Sequence, residues 1–353
     1  MRYKLPPLPA ALPSGAAAAL LAAALFGAGT PLAKLLLQGV GPWLLAALLY
    51  LGSGLGLAAW RAFQCTPHVR LAVREWPWLA GAVLAGGVVG PVLLMLGLAG
   101  MPASGASLLL NAEAVFTALL AWFVFQENVD RRIALGMGAI VAGALVLAWP
   151  GSADFGRAGP ALAVLGACLA WGLDNNLTRK VSLTDATWLA MVKGLVAGTV
   201  NLVIALALGA QLPPPALMAG AALLGLACYG LSLTLFVLAL RQLGTARTGA
   251  YFSVAPFFGA LLSVVALGEP LTLPLLLAGA LMAAGVWLHL SERHAHWHDH
   301  EAMEHEHEHE HDAHHHHHAP GEAVPLRHTH RHRHAPLAHA HAHYPDAHHR
   351  HRH

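Results

Sequence analysis

Charge is what this chain has least of. Only 11% of its 353 residues are Asp, Glu, Lys or Arg, against roughly a quarter in a soluble domain. With 56% hydrophobic residues and a mean hydropathy of +0.55, a fold covered by water on all sides is excluded. Cysteine is almost missing too. Cys65, Cys168 and Cys228 are far apart in the sequence, with neither metal-site spacing nor a disulfide framework, and packing is their expected role. No G-x-x-x-x-G-K-[ST] loop is present, so ATP-driven work by this chain has no support. No nucleophile–base pair and no intramembrane His motif suggests an enzyme, and no nucleic-acid partner is expected. The basic start, Arg2 and Lys4, leads into an apolar run that continues through Gly27 to Leu37. That is too long for the core of a cleaved signal peptide.

What the chain has is long apolar runs. A helix crossing a bilayer needs about 20 apolar residues. Ten segments qualify: 16–37, 42–60, 77–98, 102–125, 132–149, 159–178, 186–209, 216–240, 248–267 and 271–290. Backbone groups in lipid must bond internally, and alternating barrel strands are missing, so helices are expected. The expected fold class is an all-α polytopic membrane protein. Lysines and arginines favour the cytoplasmic side. With a cytoplasmic N-terminus, Arg61, Arg70, Arg74, Arg131, Arg132, Arg179, Lys180, Arg241 and Arg247 all fall inside, and Arg157 alone falls outside. Both termini are then cytoplasmic. Trp43, Trp76, Trp78, Trp149 and Trp287 sit near span ends, where interfacial anchors belong.

The chain also contains itself twice. At a shift of 142 positions, Phe116, Ala118, Leu119, Leu120 and Glu127 meet Phe258, Ala260, Leu261, Leu262 and Glu269. A weaker echo links Phe26-Gly27 and Lys34 to Trp171-Gly172 and Arg179. Each repeat holds five spans, an odd number, so the second inserts upside down. Inverted repeats of this kind build carriers that expose a central site alternately to each side. The expected domains are a cytoplasmic segment 1–14, a first repeat 15–150, a second repeat 151–290 and a tail 291–353.

These residues resemble the drug/metabolite transporter superfamily, specifically its EamA-type members with two five-helix repeats. The resemblance rests on Phe26-Gly27, Pro31 and Lys34 in the first span, and on Glu113, Phe116-Thr117-Ala118 and Glu127 in the fourth. It extends to Trp171-Gly-Leu-Asp-Asn-Asn-Leu-Thr-Arg-Lys180 in the sixth span and Ala255-Pro256-Phe-Phe-Gly-Ala and Gly268-Glu269 in the ninth. It covers residues 15 to 290 and implies a ten-helix secondary carrier in a bacterial inner membrane that moves a small metabolite or amino-acid-like solute, often outward. The chain departs from the family's Glu-Pro pair: Ala114 follows Glu113, and Ala255 precedes Pro256.

Ionisable groups at membrane depth are costly, so each marks a candidate site. Glu113 either binds a substrate ammonium or carries a coupled proton, or else it pairs with a lysine to fix packing. Asn111 lies two residues before it. Asp174 and Asn175 form a gate or binding group near the end of the sixth span, or a solvated helix end beside Arg179 and Lys180. Lys193 pairs with Asp174 or Glu113, or snorkels inward, and Lys34 snorkels outward. Asn201 is expected to be an interhelical hydrogen-bond partner. Tyr251 and Ser253, with Tyr229, Ser232 and Thr234, line a cavity or pack. Pro31, Pro91 and Pro256 each free a carbonyl and can kink a helix. Glu127 and Glu269 fall at opposite faces, as caps or gate elements.

Of the 26 histidines, all but His68 and His289 lie from His294 onward. The tail's composition predicts disorder. His305, His307, His309 and His311, and the unbroken run His314, His315, His316, His317 and His318, are expected to bind divalent zinc, nickel, cobalt or copper weakly. No cofactor is required, and membrane lipid and a small solute are the expected partners. The alternative function is divalent-metal transport, or a metal response, served by this tail.

Overall fold

The computed structural model describes residues 15–64, 66, 69, 71–124, 131–148, 158–181, 184–243, 248, 251–290, 295–300, 303–310, 327–334 and 337–342. Between Gly15 and Leu290 the described residues contain helices and no strand. In order they are α1 (Gly15–Leu36), α2 (Pro42–Phe63), α3 (Trp76–Ala82) and α4 (Gly90–Ala99), the last two joined by a π-helical stretch, Val83–Val89. Next come α5 (Ala103–Leu109), α6 (Ala112–Phe123), α7 (Arg131–Ala148), α8 (Ala158–Arg179) and α9 (Ala186–Ala207). A second π-helical stretch, Leu226–Leu231, joins α10 (Pro215–Gly225) to α11 (Ser232–Leu243). The last two are α12 (Ala255–Leu267) and α13 (Leu273–Leu290).

Six helical runs are long and apolar enough to cross a membrane: Gly15–Leu36, Pro42–Phe63, Val73–Ala99, Ala103–Leu120, Ala186–Ala207 and Pro215–Ala239. Ala134–Leu147, Ala255–Leu267 and Leu273–Leu288 are shorter apolar helices. Large side chains such as Leu55, Leu145, Leu162, Val203, Leu261 and Val265 are exposed on the outside, while Ala18, Ala22, Ala46, Ala47, Ala106 and Ala167 fill the inside. Apolar residues facing outward and small residues between helices are the arrangement that lipid favours, because helices in lipid associate by close packing.

The packing pairs follow the sequence repeat. α2 packs on α9, and α7 on α13. Helices α4 and α6 both pack on α8, and their counterparts α11 and α12 both pack on α1. Two glycines set the closeness of the last two contacts. A Cβ on Gly172 of α8 would stand 3.0 Å from the Thr117 amide of α6, and one on Gly27 of α1 would stand 3.0 Å from the Gly259 amide of α12.

Arg293–His353 form a separate unit. In it β1 (Ala295–His300) pairs antiparallel with β4 (Leu337–Ala342), and β2 (Met303–Glu310) with β3 (Arg327–His334). The described parts of the tail, whose composition predicts disorder, are these four strands. A strict alternation has the period of a strand. In the β2–β3 register Glu304, Glu306 and Glu310 are partners of Arg333, Arg331 and Arg327, while His305, His307 and His309 are partners of His332, His330 and His328. Opposite charges directly across a pair of strands stabilise it.

Candidate functional site

Two helices lose their regular hydrogen bonding where the polar residues gather. Span four breaks between α5 and α6. There the backbone turns to tighter bonds: Leu110 N to Ser107 O at 3.2 Å, Asn111 N to Leu108 O at 3.0 Å, Glu113 N to Leu110 O at 3.1 Å and Ala114 N to Asn111 O at 3.2 Å. The Asn111 side chain, 5% exposed, donates back to Leu108 O at 2.9 Å. Asn111 thus satisfies a carbonyl at the break. The second repeat breaks at the equivalent point, Ser253–Val254, and there Pro256 lacks the amide proton the ladder needs.

A second irregular helix near the polar residues holds Pro91. Its missing N–H leaves carbonyls one turn back without a donor, and the Val83–Val89 stretch is π-helical. Side chains serve those carbonyls. Tyr50 Oη and Trp171 Nε1 both donate to Gly86 O at 2.9 Å, and Asn201 Nδ2 donates to Gly87 O at 3.3 Å and Val88 O at 3.4 Å. Irregular backbone at membrane depth is tolerated where it is buried in protein or lines a cavity. Pro31, by contrast, lies inside an unbroken α1.

Glu113 lies in the first turn of α6, and its Oε1 accepts from Asn175 Nδ2 of α8 at 2.8 Å. The same Asn175 nitrogen is 3.3 Å from Thr117 Oγ1, one turn along α6 from Glu113. Asn176 ties the two helices together, donating to Thr117 O at 3.1 Å and Gly172 O at 2.8 Å. Glu113 therefore meets a neutral amide. Lys193 of α9 is instead bound to Asp174, at 2.6 Å to Oδ1 and 2.5 Å to Oδ2. Thr178 Oγ1 also donates to Asp174 Oδ1, at 2.8 Å. Asp174 is 6% exposed, which corrects the reading of it as a solvated helix end. It fills the space left by the missing side chain of Gly86, which a Cβ would close.

At one face of the bundle, two charged groups hold helix ends. Glu269 accepts from Ala103 N at 2.6 Å and Ser104 N at 2.8 Å, at the start of α5. Lys34 donates to Leu98 O at 2.7 Å, Met101 O at 3.1 Å and Ala99 O at 3.3 Å, around the end of α4. Lys34 thus binds carbonyls where snorkelling was expected. Toward the other face, Arg61 bonds to Asp185 Oδ1 at 2.9 Å and Thr187 Oγ1 at 2.8 Å. Burial pushes the Asp185 carboxyl up, but the Thr187 hydroxyl, the Trp188 amide and the Arg61 guanidinium outweigh it and hold it below its ordinary value.

The structure brings together Glu113, Asn175, Asp174 and Lys193. Tyr251 is exposed and Ser253 half-buried, beside the break before α12. Thr117 was not singled out as a site residue by sequence reasoning, although its spacing of four from Glu113 on a helix was the available signal. Tyr50 was missed with no signal at all. Cys168 and Cys228 are free and buried. Of the histidines expected to bind metal, His305, His307 and His309 lie on β2. The others, His311, His314, His315, His316, His317 and His318, lie outside the described residues, as do Glu127 and Cys65. Among the described residues no three His, Cys, Asp or Glu side chains are gathered as metal ligands.

Known proteins resemble this chain in sequence and fold. An uncharacterized transporter of Methanothermobacter thermautotrophicus is 30% identical over 284 residues, covering 74% of this chain and 82% of that protein. The probable 4-amino-4-deoxy-L-arabinose-phosphoundecaprenol flippase subunit ArnE of Pseudomonas aeruginosa is 36% identical over 109 residues, 30% of this chain and 92% of its own. A crystal structure of a protein sharing 19% identity superposes with a TM-score of 0.59 over 77% of this chain and 95% of that one, which shows a shared fold. The EamA-like transporter family model matches twice, at residues 13–149 and 159–291. The chain is therefore a multi-pass membrane protein and belongs to the EamA-like transporter family.

Proposed function

We propose that this chain is a secondary-active carrier that exports a small metabolite or amino-acid-like solute by alternating access. Ten segments cross the membrane in this reading. They are the six long runs, the three shorter apolar helices and α8, arranged as two inverted sets of five. The face carrying Arg61 and Lys180 is cytoplasmic, as are both termini, in a bacterial inner membrane.

One observation carries the reading. Glu113, Asn175 and Thr117 form a hydrogen-bonded set at the contact of α6 from the first repeat with α8 from the second. A carboxylate between two halves that move against each other can be presented to either side. It can exchange a proton or a cationic group there. The amino sugar in the name of the ArnE relative is compatible with an amine-bearing cargo.

The test compares metabolites inside and outside cells producing wild type or Glu113→Gln at equal membrane levels. The expected result is at least one metabolite accumulated outside by wild type and not by the variant. Identical profiles for wild type and Glu113→Gln, both differing from cells lacking the protein, would sink the role of Glu113.

A further inference from the structure

The carrier reading uses nothing of the second unit, Arg293–His353. The strands there keep one register. Pairing runs from Ala295 with Ala342 to His300 with Leu337, resumes at Met303 with His334 without a slip, and ends at Glu310 with Arg327. In an antiparallel pair, directly opposite residues share a face, and successive residues alternate faces. His305, His307 and His309 of β2 are partners of His332, His330 and His328 of β3, so all six occupy one face as three rungs. Glu304, Glu306 and Glu310 occupy the other face, each opposite an arginine. β1–β4 adds two rungs, His296 with His341 and His298 with His339. Composition only scatters histidines along a tail, whereas this register pairs them across strands.

Cβ atoms directly opposite are about 4.5–5.5 Å apart, and rungs two residues on follow at about 7 Å. A rung therefore brings two imidazoles within reach of one ion, at metal–nitrogen bonds of about 2 Å, and keeps neighbouring ions apart. Each rung supplies two ligands and water completes the coordination, so the ladder needs no gathering of three ligands, and none occurs among the described residues. With carboxylates on the opposite face, the site is all imidazole. Such sites take zinc, nickel or copper and leave magnesium and calcium, which prefer oxygen ligands.

The strands also need a staple. A lone two-stranded ribbon is marginal in water, and closing the chain over residues 311–326 costs entropy. Met303 is the one apolar residue of β2 and β3. An ion that binds only the paired strands adds its binding free energy to their pairing. This reconciles a composition that predicts disorder with strands in strict register.

We propose that the three cross-strand histidine pairs of β2–β3 form a ladder of divalent-metal sites, each ion held by one histidine from each strand, and that the ions hold the two strands in register. The ladder is independent of the carrier reading, since it involves no residue of the helical body.

The test uses purified full-length protein in detergent, with zinc as the probe. Calorimetry compares wild type with two triple variants, His305→Gln, His307→Gln, His309→Gln and His328→Gln, His330→Gln, His332→Gln, and with their combination. Each triple is expected to lower the zinc bound by about three ions per chain, one for each rung. The combination should lose no more than either triple, because one missing histidine already empties a rung. A combination that loses twice as much as either triple shows independent ligands and overturns the ladder. Strand pairing is read separately. In a chain with Cys65, Cys168 and Cys228 replaced by alanine, nitroxides are attached at Glu308→Cys and Thr329→Cys, a partnered position. Zinc should broaden their electron spin resonance spectrum by bringing the two labels together, and a chelator should reverse it. Magnesium and calcium should leave it unchanged. A spectrum that zinc does not alter, or that magnesium alters equally, overturns the inference.

Discussion

Lys193 and Asp174 behave as one unit, because either charge left alone in the bundle would lack its counterion. Lys193→Met strands a carboxylate that is 6% exposed, and removing one partner of a buried pair costs about 3 kcal/mol or more. The double variant Asp174→Asn, Lys193→Met removes both charges and should recover most of the loss. Thermal unfolding in detergent reads this, and a Lys193→Met protein as stable as wild type would show that the pair is not a buried unit. Asp185 gives a milder effect with a pH signature. Its carboxyl is held below the ordinary value, so its contribution is complete above about pH 4, the unfolded value. It is lost as pH falls through the lowered folded value. Asp185 also caps α9 through the Trp188 amide at 2.9 Å. Asp185→Ala should therefore cost about 1 kcal/mol at neutral pH and flatten the acid side of the stability profile. An unchanged acid limb would contradict the assignment.

At the scale of elements, the irregular helices are built with their own repairs. Gly86 O accepts from two donors on two different helices, so losing one leaves the other. Tyr50→Phe or Trp171→Phe alone should cost about 1 kcal/mol or less. The double variant should cost more than the sum, since a buried carbonyl then has neither side-chain donor. Additive losses would mean that the two bonds are independent. Here the sequence was partly legible. Pro256 announced the break in span nine, and a repeat at a shift of 142 was visible from Phe116 to Glu127. The matching break at Asn111 was hidden, because no proline marks it and a short amide side chain does the repair. The π-helical stretches were also hidden. Pro91 was noted as a kink, but the switch in hydrogen-bond register depends on Tyr50, Trp171 and Asn201, which come from three other helices. For Asp174 the sequence leaves two readings, a gate or binding group and a solvated helix end beside Arg179 and Lys180. What buries it is Gly86, whose missing side chain cannot be linked to Asp174 from one sequence alone.

For the whole molecule, the contact pattern carries the functional argument. Helix pairs α2–α9 and α7–α13 map onto themselves under the repeat, while α4–α8 and α6–α8 map onto α11–α1 and α12–α1. The two halves are thus joined by equivalent contacts, and Glu113 with Asn175 sits on one of them. In the carrier reading proposed above, two packings related in this way interchange, which is what alternating access requires. Lys34 and Glu269 hold helix ends at one face, so this structure has that face tied. The most direct measurement places a single thiol at the site. In a chain with Cys65, Cys168 and Cys228 replaced by alanine, Asn175→Cys is exposed to a membrane-impermeant thiol reagent in right-side-out and in inverted vesicles. Alternating access predicts labelling from both sides. Labelling from one side only, at every time and reagent concentration tried, would contradict it.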